Sequence, residues 1–466
     1  MLIAAYHRLP PRARSAVASA RGMYLRHWRY GPETDQLVSE ALEREGWPAD
    51  RWRAWVEGRL ALLLERAATR VPAYRDHWSA RRRAGDRAAW DRLENWPVLT
   101  KEALRANPRA YLADDRDPRR MFHEHTSGTT GKPLDLWSSR ATLRAWYALF
   151  DARWRRWHGV SRDDRWALLG GQLVAPAAAV RPPFWVWNAG LRQLYMSSYH
   201  LAPQYLPYYL DALRRYRITY LIGYASSLEA LARTALETGI TVPGLRVALT
   251  SAEPLLPSQR ATIEEGLRCP VRETYGMSEM AAAAGECEAG PLHRWPEAGC
   301  LEVLGQSGPV PTGATGDFIC TGLLNFDMPL IRYAVGDRGA NSDAPCPCGR
   351  RLPAIAALEG RSDDMLFTPD GRQVGRLDPV FKARLRVREA QIVQHALDRI
   401  EVRVVPADGY SPADARAIAD AVRDRMGDLD VRVETVAGIP RGPNGKFRAV
   451  VCSLDASSLR RIGRAP

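Results

Sequence analysis

Lysine is nearly missing from this sequence. Of 66 cationic side chains only Lys101, Lys132, Lys382 and Lys446 are lysines, and the rest are arginines. A compact ammonium and a planar guanidinium fork are not interchangeable at a reacting atom, so the few lysines are positions to examine first. Long apolar runs are missing too. None approaches the roughly 20 residues a membrane helix needs, so no transmembrane segment is expected. There is no internal repeat and no low-complexity block. With 46% hydrophobic and 26% charged residues, a disordered tail protein, a collagen and a small disulfide scaffold are all excluded. The seven cysteines are odd in number and show no framework spacing. A reducing compartment follows, and the expected location is cytoplasmic. The N-terminal stretch MLIAAYHRLPPRARSAVASARG has a five-residue apolar start and then Arg and Pro, which does not read as a secretory signal. Acid-free and Arg-rich, it reads as a basic amphipathic first helix or as a transit peptide.

The 466 residues predict two or three domains, and the net charge of +13 makes anionic partners plausible: nucleotides, CoA, an acidic membrane surface or nucleic acid. Residues 36–70 read as helix, with Leu37, Leu42, Trp55, Leu60 and Leu63 as apolar positions. The middle of the chain then changes character. RWALLGG (165–171), ITYLIGYA (218–225), LRVALTSAE (245–253) and VRETYG (271–276) are apolar, β-branched runs ending in turn residues. Helical stretches at 203–217 and 226–238 lie between them. This alternation predicts an α/β fold with parallel sheets and ligands at the carboxyl ends of strands. Short strands dominate from 300 to 340. The last hundred residues read as a small α+β unit: a strand at 400–409, a helix at 411–427 with Ser411 as N-cap, and a strand at 430–439. The expected domains are 1–360 and 361–466.

Five motifs carry chemistry. His125-Thr126-Ser127-Gly128-Thr129-Thr130-Gly131-Lys132-Pro133 is a small-residue loop with one lysine, suited to presenting N–H groups and hydroxyls to phosphates. It is not a Walker A loop, which needs four residues between its glycines. Tyr275-Gly276-Met277-Ser278-Glu279 follows a strand, where a Glu can hold Mg²⁺ against phosphates. Asp337 ends Arg332-Tyr333-Ala334-Val335-Gly336-Asp337, and an Asp after a strand suits two ribose hydroxyls. Gly360-Arg361-Ser362-Asp363-Asp364 sits at the domain junction, and Gly445-Lys446-Phe447-Arg448 lies late in the small domain.

In this order, with Ser251-Ala252-Glu253-Pro254, the motifs resemble the adenylate-forming superfamily of acyl-CoA synthetases, adenylation domains and luciferases. The resemblance spans about residues 70 to 450. It is nearer to phenylacetate–CoA ligases and their capsular-polysaccharide-type relatives. It implies a large N-terminal adenylate-forming domain with parallel sheets, helices and a β-rich subdomain, and a small mobile C-terminal domain. It implies that Thr126, Ser127, Gly128, Thr129, Thr130, Gly131 and Lys132 cradle ATP phosphates. Ala252, Glu253, Pro254, Tyr275, Gly276, Met277 and Ser278 would surround the nucleotide, Glu279 would ligate Mg²⁺ and Asp337 would bind ribose. Arg361 would lie near ribose and phosphate, Asp363 would be the hinge, and Lys446 would reach the carboxylate and α-phosphate. The implied reaction joins a small organic acid to AMP with release of pyrophosphate, then transfers the acyl group to CoA. The stretch after GRSDD, MLFTPDGRQVGRLDPVF, departs from the phenylacetate–CoA ligase pattern, so an amine, an alcohol or a carrier protein stands as the alternative acceptor. Trp185, Tyr195, Tyr224 and Ala282 are candidate walls of the acid pocket, and each of these aromatics also reads as ordinary core.

Cys287, His293, Cys346 and Cys348 form a further constellation. The Cys346-Pro347-Cys348-Gly349 turn places two thiolates on one ion, and a Cys/His pair from another loop completes a tetrahedral Zn²⁺ site, although the spacing is not that of a zinc finger. Some phenylacetate–CoA ligase-like proteins carry a comparable set. The competing reading is reduced, unligated thiols in a loop. With four protein donors such a zinc is structural. Nucleic acid is not expected as a partner, because the arginines are spread in short runs such as Arg81-Arg82-Arg83 and no nucleic-acid motif occurs. The sequence leaves the oligomeric state open, with a dimer among the possibilities.

Overall fold

Parallel strands buried on both faces need apolar residues at successive positions rather than alternate ones. In the computed structural model three of the four apolar runs of the middle region meet that need, and the fourth adds a short edge. Trp166–Gly170, Tyr220–Gly223, Val247–Thr250 and Val271–Arg272 lie side by side and parallel. Gln193–Ser197 joins the first of them in parallel, and Trp185–Asn188 closes that edge antiparallel. The structure describes residues 2–126, 134–176, 178–253, 255, 257–305, 308–359, 366–374, 377, 380, 386–439 and 450–455. The helices Leu206–Arg215, Ala225–Thr238 and Pro257–Leu267 cover one sheet face through Tyr209, Leu213, Leu228, Leu231 and Ile263. The other face carries Trp146, Trp154, Trp166, Tyr220 and Trp295.

Two expected elements divide. The run 271–276 is not one strand: Val271–Arg272 ends the six-stranded sheet and Thr274–Gly276 begins an eight-stranded antiparallel one. At the crossing the Glu273 N–H donates to the Glu286 carboxylate (2.6 Å) instead of to a ladder partner. The helix expected over 36–70 is two helices, Thr34–Arg44 and Ala49–Arg70. Pro48 has no N–H to continue a helix and disfavours helical geometry at Trp47, so the chain turns there. The acid-free N-terminus forms the helices Leu2–His7 and Pro11–Arg29. The second lies close on the sheet edge: a Cβ at Gly22 would meet Asn188 and one at Gly190 would meet the Met23 backbone.

The small unit near the C-terminus has a sheet ordered Asp430–Thr435, Arg399–Pro406, Val387–Ala396, Val450–Cys452. The helix Pro412–Met426 packs Ile418, Val422 and Met426 on Ile392, Ile400 and Val402. Ser411 and Asp414 form its capping box. The last expected strand stops at Thr435. Leu173 and Tyr199 of the larger part share this core. Among the described residues no helix is long and apolar enough to cross a membrane.

Candidate active site

The parallel strands end at Gly170, Gly223 and Thr250, and the segments beyond them gather several of the residues singled out above. A Cβ on Gly170 would come within 2.7 Å of the Tyr195 hydroxyl, and one on Gly171 within 3.1 Å of the Tyr224 hydroxyl. The two tyrosines thus close over a turn that only glycine fits. Tyr199 reinforces it by donating to the Gly171 carbonyl at 2.6 Å. Burial pushes the Tyr195 phenol well above its ordinary pKa, so it stays a donor. Trp185 does not join them. It pairs with Met196 while Tyr195 pairs with Val186, so strand alternation sends the two rings to opposite faces. Trp185 instead packs against Tyr209, with ring centroids 5.7 Å apart. Ala282 is buried in the core cluster that contains Tyr275 and Phe318.

Beyond Thr250 the Ser251 N–H donates to the Gly223 carbonyl at 2.9 Å. Ala252 follows with φ +66°, a left-handed conformation uncommon for a residue with a Cβ. Glu253 is next. Across from this turn, the Tyr275 hydroxyl donates to the Asp337 carboxylate at 3.0 Å. A Cβ on Gly276 would lie 3.4 Å from the Trp154 ring. Met277, Ser278, Glu279 and Met280 make a turn closed by the Met280 N–H on the Met277 carbonyl (3.1 Å), with Met280 at φ +54°. This turn presents Glu279 to Tyr333, whose hydroxyl donates to it at 2.9 Å.

Lys101 reaches the same Glu279 oxygen, at 3.9 Å. The sequence had singled it out as one of four lysines, but no motif claimed it. Its placement has a local cause. The Leu99 N–H donates to the Arg332 carbonyl and the Ala334 N–H to the Leu99 carbonyl, both at 2.9 Å. That pairing seats the helix Lys101–Ala106 beside Tyr333, with Thr100 as its N-cap. Ser127, Gly128, Thr129, Thr130, Gly131, Lys132, Pro254, Arg361, Asp363 and Lys446 lie outside the described residues. Thr126 ends the strand Phe122–Thr126, which pairs antiparallel with Leu134–Ser138.

The cysteine constellation converges. The donor atoms of Cys287, His293, Cys346 and Cys348 all lie within 4.8 Å of one another. Cys287 and Cys346 approach to 3.6 Å, and Cys348 Sγ lies 3.3 Å from His293 Nε2. His293 Nδ1 faces the Leu352 carbonyl at 3.0 Å. That contact fixes the proton on Nδ1 and leaves the Nε2 lone pair directed at the sulfurs, the arrangement a metal ligand requires. Gly349, at φ +80°, closes the Cys-Pro-Cys-Gly turn through its N–H on the Cys346 carbonyl. Burial pushes the Cys287 thiol up to about 12. Cys348 is only half-buried, and its hydrogen bonds, the Arg350 N–H first, outweigh desolvation and bring its pKa below the ordinary value. Three thiolates and one imidazole suit Zn²⁺.

Behind this cluster lies a charge network the sequence did not announce. Arg153, fully buried, makes two 2.8 Å hydrogen bonds to Glu297 and one of 3.3 Å to Glu45. Glu45 also accepts from Trp157 (2.8 Å) and from Arg350 (3.1 Å). It thereby ties the Cys346–Cys348 loop to the end of the helix Thr34–Arg44. An Arg in a helical run and a Glu in a loop carry no local signal. Only the long-range fold pairs them.

The chain is similar to protein CapK of Staphylococcus aureus, 26% identical over 78% of this chain and 80% of the relative. It is 25% identical to the phenylacetate-coenzyme A ligase of Thermus thermophilus, over 88% of this chain and 98% of that one. Its fold matches that of 2-hydroxyisobutyryl-CoA ligase in complex with 2-HIB-AMP and CoA, with a TM-score of 0.58, 22% identity, and 90% and 93% of the two chains covered. The CapK C-terminal domain model matches residues 366–453. The AMP-binding enzyme model matches residues 71–322, more than half of the sequence, and the chain therefore belongs to the AMP-binding enzymes, as an adenylate-forming ligase of the CapK-like branch.

Proposed function

We propose that this ligase activates a small organic acid, aryl or otherwise, and transfers it to the CoA thiol. The observation that carries this reading is the grouping of Glu279, Tyr333 and Lys101 with the Tyr275–Asp337 pair beyond the carboxyl ends of the parallel strands. A carboxylate that attacks the α-phosphorus of ATP brings two anions together. The P–O bond to pyrophosphate breaks as the acyl-adenylate forms, and negative charge concentrates in the transition state. Cationic groups placed there beforehand lower that barrier. Lys446 would supply the ammonium at the carboxylate and α-phosphate, with Arg361 beside it. Glu279 would hold Mg²⁺, which neutralises phosphate charge when bound. Tyr333 and Lys101 orient that carboxylate, and Asp337, held by Tyr275, would take the ribose hydroxyls. Residues 126–132 would cradle the phosphates, and Ala252, Glu253 and Tyr275 would flank the base. The acid would enter over Gly170-Gly171, where Tyr195 and Tyr224 close in.

The proposed domains are 1–360 and 361–466, with Asp363 as the hinge that moves Lys446 out before transfer. Cys287, His293, Cys346 and Cys348 would hold a structural zinc, because four protein donors leave no open position for chemistry. An amine, alcohol or carrier-protein acceptor is the second reading, favoured by the departure from the phenylacetate–CoA ligase pattern after residue 364. ATP–pyrophosphate exchange with a panel of acids and no acceptor tests activation. Exchange should depend on one class of acid. CoA, amines and carrier protein, added in turn, then identify the acceptor. Acid-dependent exchange with no turnover on CoA would overturn the CoA reading.

A further inference from the structure

A second group of metal-ligand side chains stands apart from the cysteines, on the hairpin Phe122–Thr126/Leu134–Ser138. His123 pairs across the hairpin with Trp137, and His125 with Asp135. Residues two apart on a strand share a face, so these four side chains lie together on one side. The opposite side of the hairpin is occupied: Phe122 packs against Tyr24 and Trp28. On the side that carries Trp137, itself buried in the core, His123 Nε2 lies 2.8 Å from Asp135 Oδ1, and His125 Nδ1 lies 2.7 Å from the same oxygen. The three donor atoms are all within 4.8 Å of one another. The imidazoles are not free to swing. His123 stacks on Trp137 at 4.8 Å with 8° between the planes, and the two histidine rings meet edge to face at 4.4 Å. All three remain accessible, with side-chain exposures of 40%, 49% and 38%.

We propose that His123, His125 and Asp135 bind a first-row divalent transition-metal ion, with three protein donors on one side and the remaining positions open to solvent. Metal–nitrogen and metal–oxygen bonds of about 2.0–2.2 Å place neighbouring donors roughly 3 Å apart when they subtend a right angle at the ion. Two of the three donor separations already have nearly that length, so a small outward movement of the carboxylate admits the ion. Two imidazoles with one carboxylate select transition metals over Mg²⁺ and Ca²⁺, which prefer all-oxygen sites. The donor set is harder than the cysteine set, so the two sites differ in kind and can be filled separately. His125 and Asp135 face each other next to the Thr126–Leu134 pair, the end from which residues 127–133 leave the hairpin. An ion there would pin the two strands at that end.

The test is a calorimetric Ni²⁺ titration of the full chain, given beforehand one equivalent of Zn²⁺, which the softer cysteine set takes, with excess Mg²⁺ present. Wild type should bind one equivalent of Ni²⁺. Asp135→Asn and His125→Ala should each weaken it by at least the roughly 10–100-fold that losing even a second-shell partner costs. His395→Ala, which breaks the separate exposed His395–Glu401 contact, should leave it unchanged. Far-UV circular dichroism confirms that the exposed substitutions fold, and His123→Gln gives an independent variant. Absence of Ni²⁺ binding, or binding that survives both Asp135→Asn and His125→Ala, would show that these residues form only a histidine–carboxylate ion pair. Neither outcome depends on ligase activity, so failure here leaves the proposed function standing.

Discussion

Glu297, buried, and Glu279, half-buried, are carboxylates of the same large region, yet they are held in opposite ways. Glu297 is 3% exposed, takes two hydrogen bonds from Arg153 and takes a third from Arg44 at 3.0 Å. The arginine cations draw its pKa below the ordinary value in spite of burial. Glu279 is 9% exposed, and among the described residues it accepts one hydrogen bond, from Tyr333, with Lys101 at the edge of ion-pair distance. The first carboxylate is engaged by two arginines through three charge-assisted hydrogen bonds, which tie the fold together. The second has both these contacts, with Tyr333 and Lys101, on the one oxygen Oε1, which suits the Mg²⁺ role proposed above. The number of arginine partners thus separates the carboxylate that ties the fold together from the one proposed to hold Mg²⁺.

The largest expected effect comes from breaking the arginine-held side. Glu297→Ala leaves Arg153 buried without its main partner, and removing one member of a buried pair costs about 3–5 kcal/mol. Denaturant unfolding should show that loss, while exchange per folded molecule stays near wild type. Lys446→Ala sharpens the contrast from the other side. Pyrophosphate exchange should fall by about 10²–10³-fold, the range for losing one transition-state donor, with the unfolding midpoint unchanged. Stripping metal with a chelator should act like Glu297→Ala in kind but less in degree. The thermal midpoint should fall by several degrees, at about 2–4 °C per kcal/mol, and recover with Zn²⁺.

The smallest effect is a pH dependence near the cysteine cluster. Burial, aided by Arg272, depresses His158 to about 4 from an ordinary 6.5. Between those values the unfolded chain binds a proton that the folded chain refuses. The contribution of neutral His158 to stability is therefore complete above about pH 6.5 and is lost as pH falls toward 4. His158→Gln should flatten the thermal midpoint over that window. An unchanged slope would assign it to other groups.

Much of the architecture was legible because periodicity and turn chemistry are local. The apolar runs at 165–171, 218–225 and 245–253 became adjacent parallel strands, and Ser411 did start a helix. The split of 271–276 was not legible, because it depends on Glu286 taking the Glu273 N–H from a hairpin away. The cysteine quartet was legible from the Cys346-Pro347-Cys348-Gly349 turn and its residue types, since ligand chemistry names its own residues. The Lys101–Glu279 approach could not: it needs Leu99 to pair beside Tyr333, a contact between distant parts of the chain. Scarcity of lysine still pointed at the residue without giving its partner. Trp185 and Tyr195 looked equivalent as aromatics, and only the strand register separated them.

The most direct measurement follows the oxygen of the acid. With an acid labelled by ¹⁸O in its carboxylate, attack on the α-phosphorus makes one labelled oxygen the bridge of the acyl-adenylate. When the acceptor attacks the acyl carbon, the C–O bond breaks and that oxygen leaves on AMP. Mass spectrometry should find AMP carrying one ¹⁸O and unlabelled pyrophosphate. Label in inorganic phosphate, with ADP as the nucleotide product, would mean attack at the γ-phosphorus and would contradict adenylate formation.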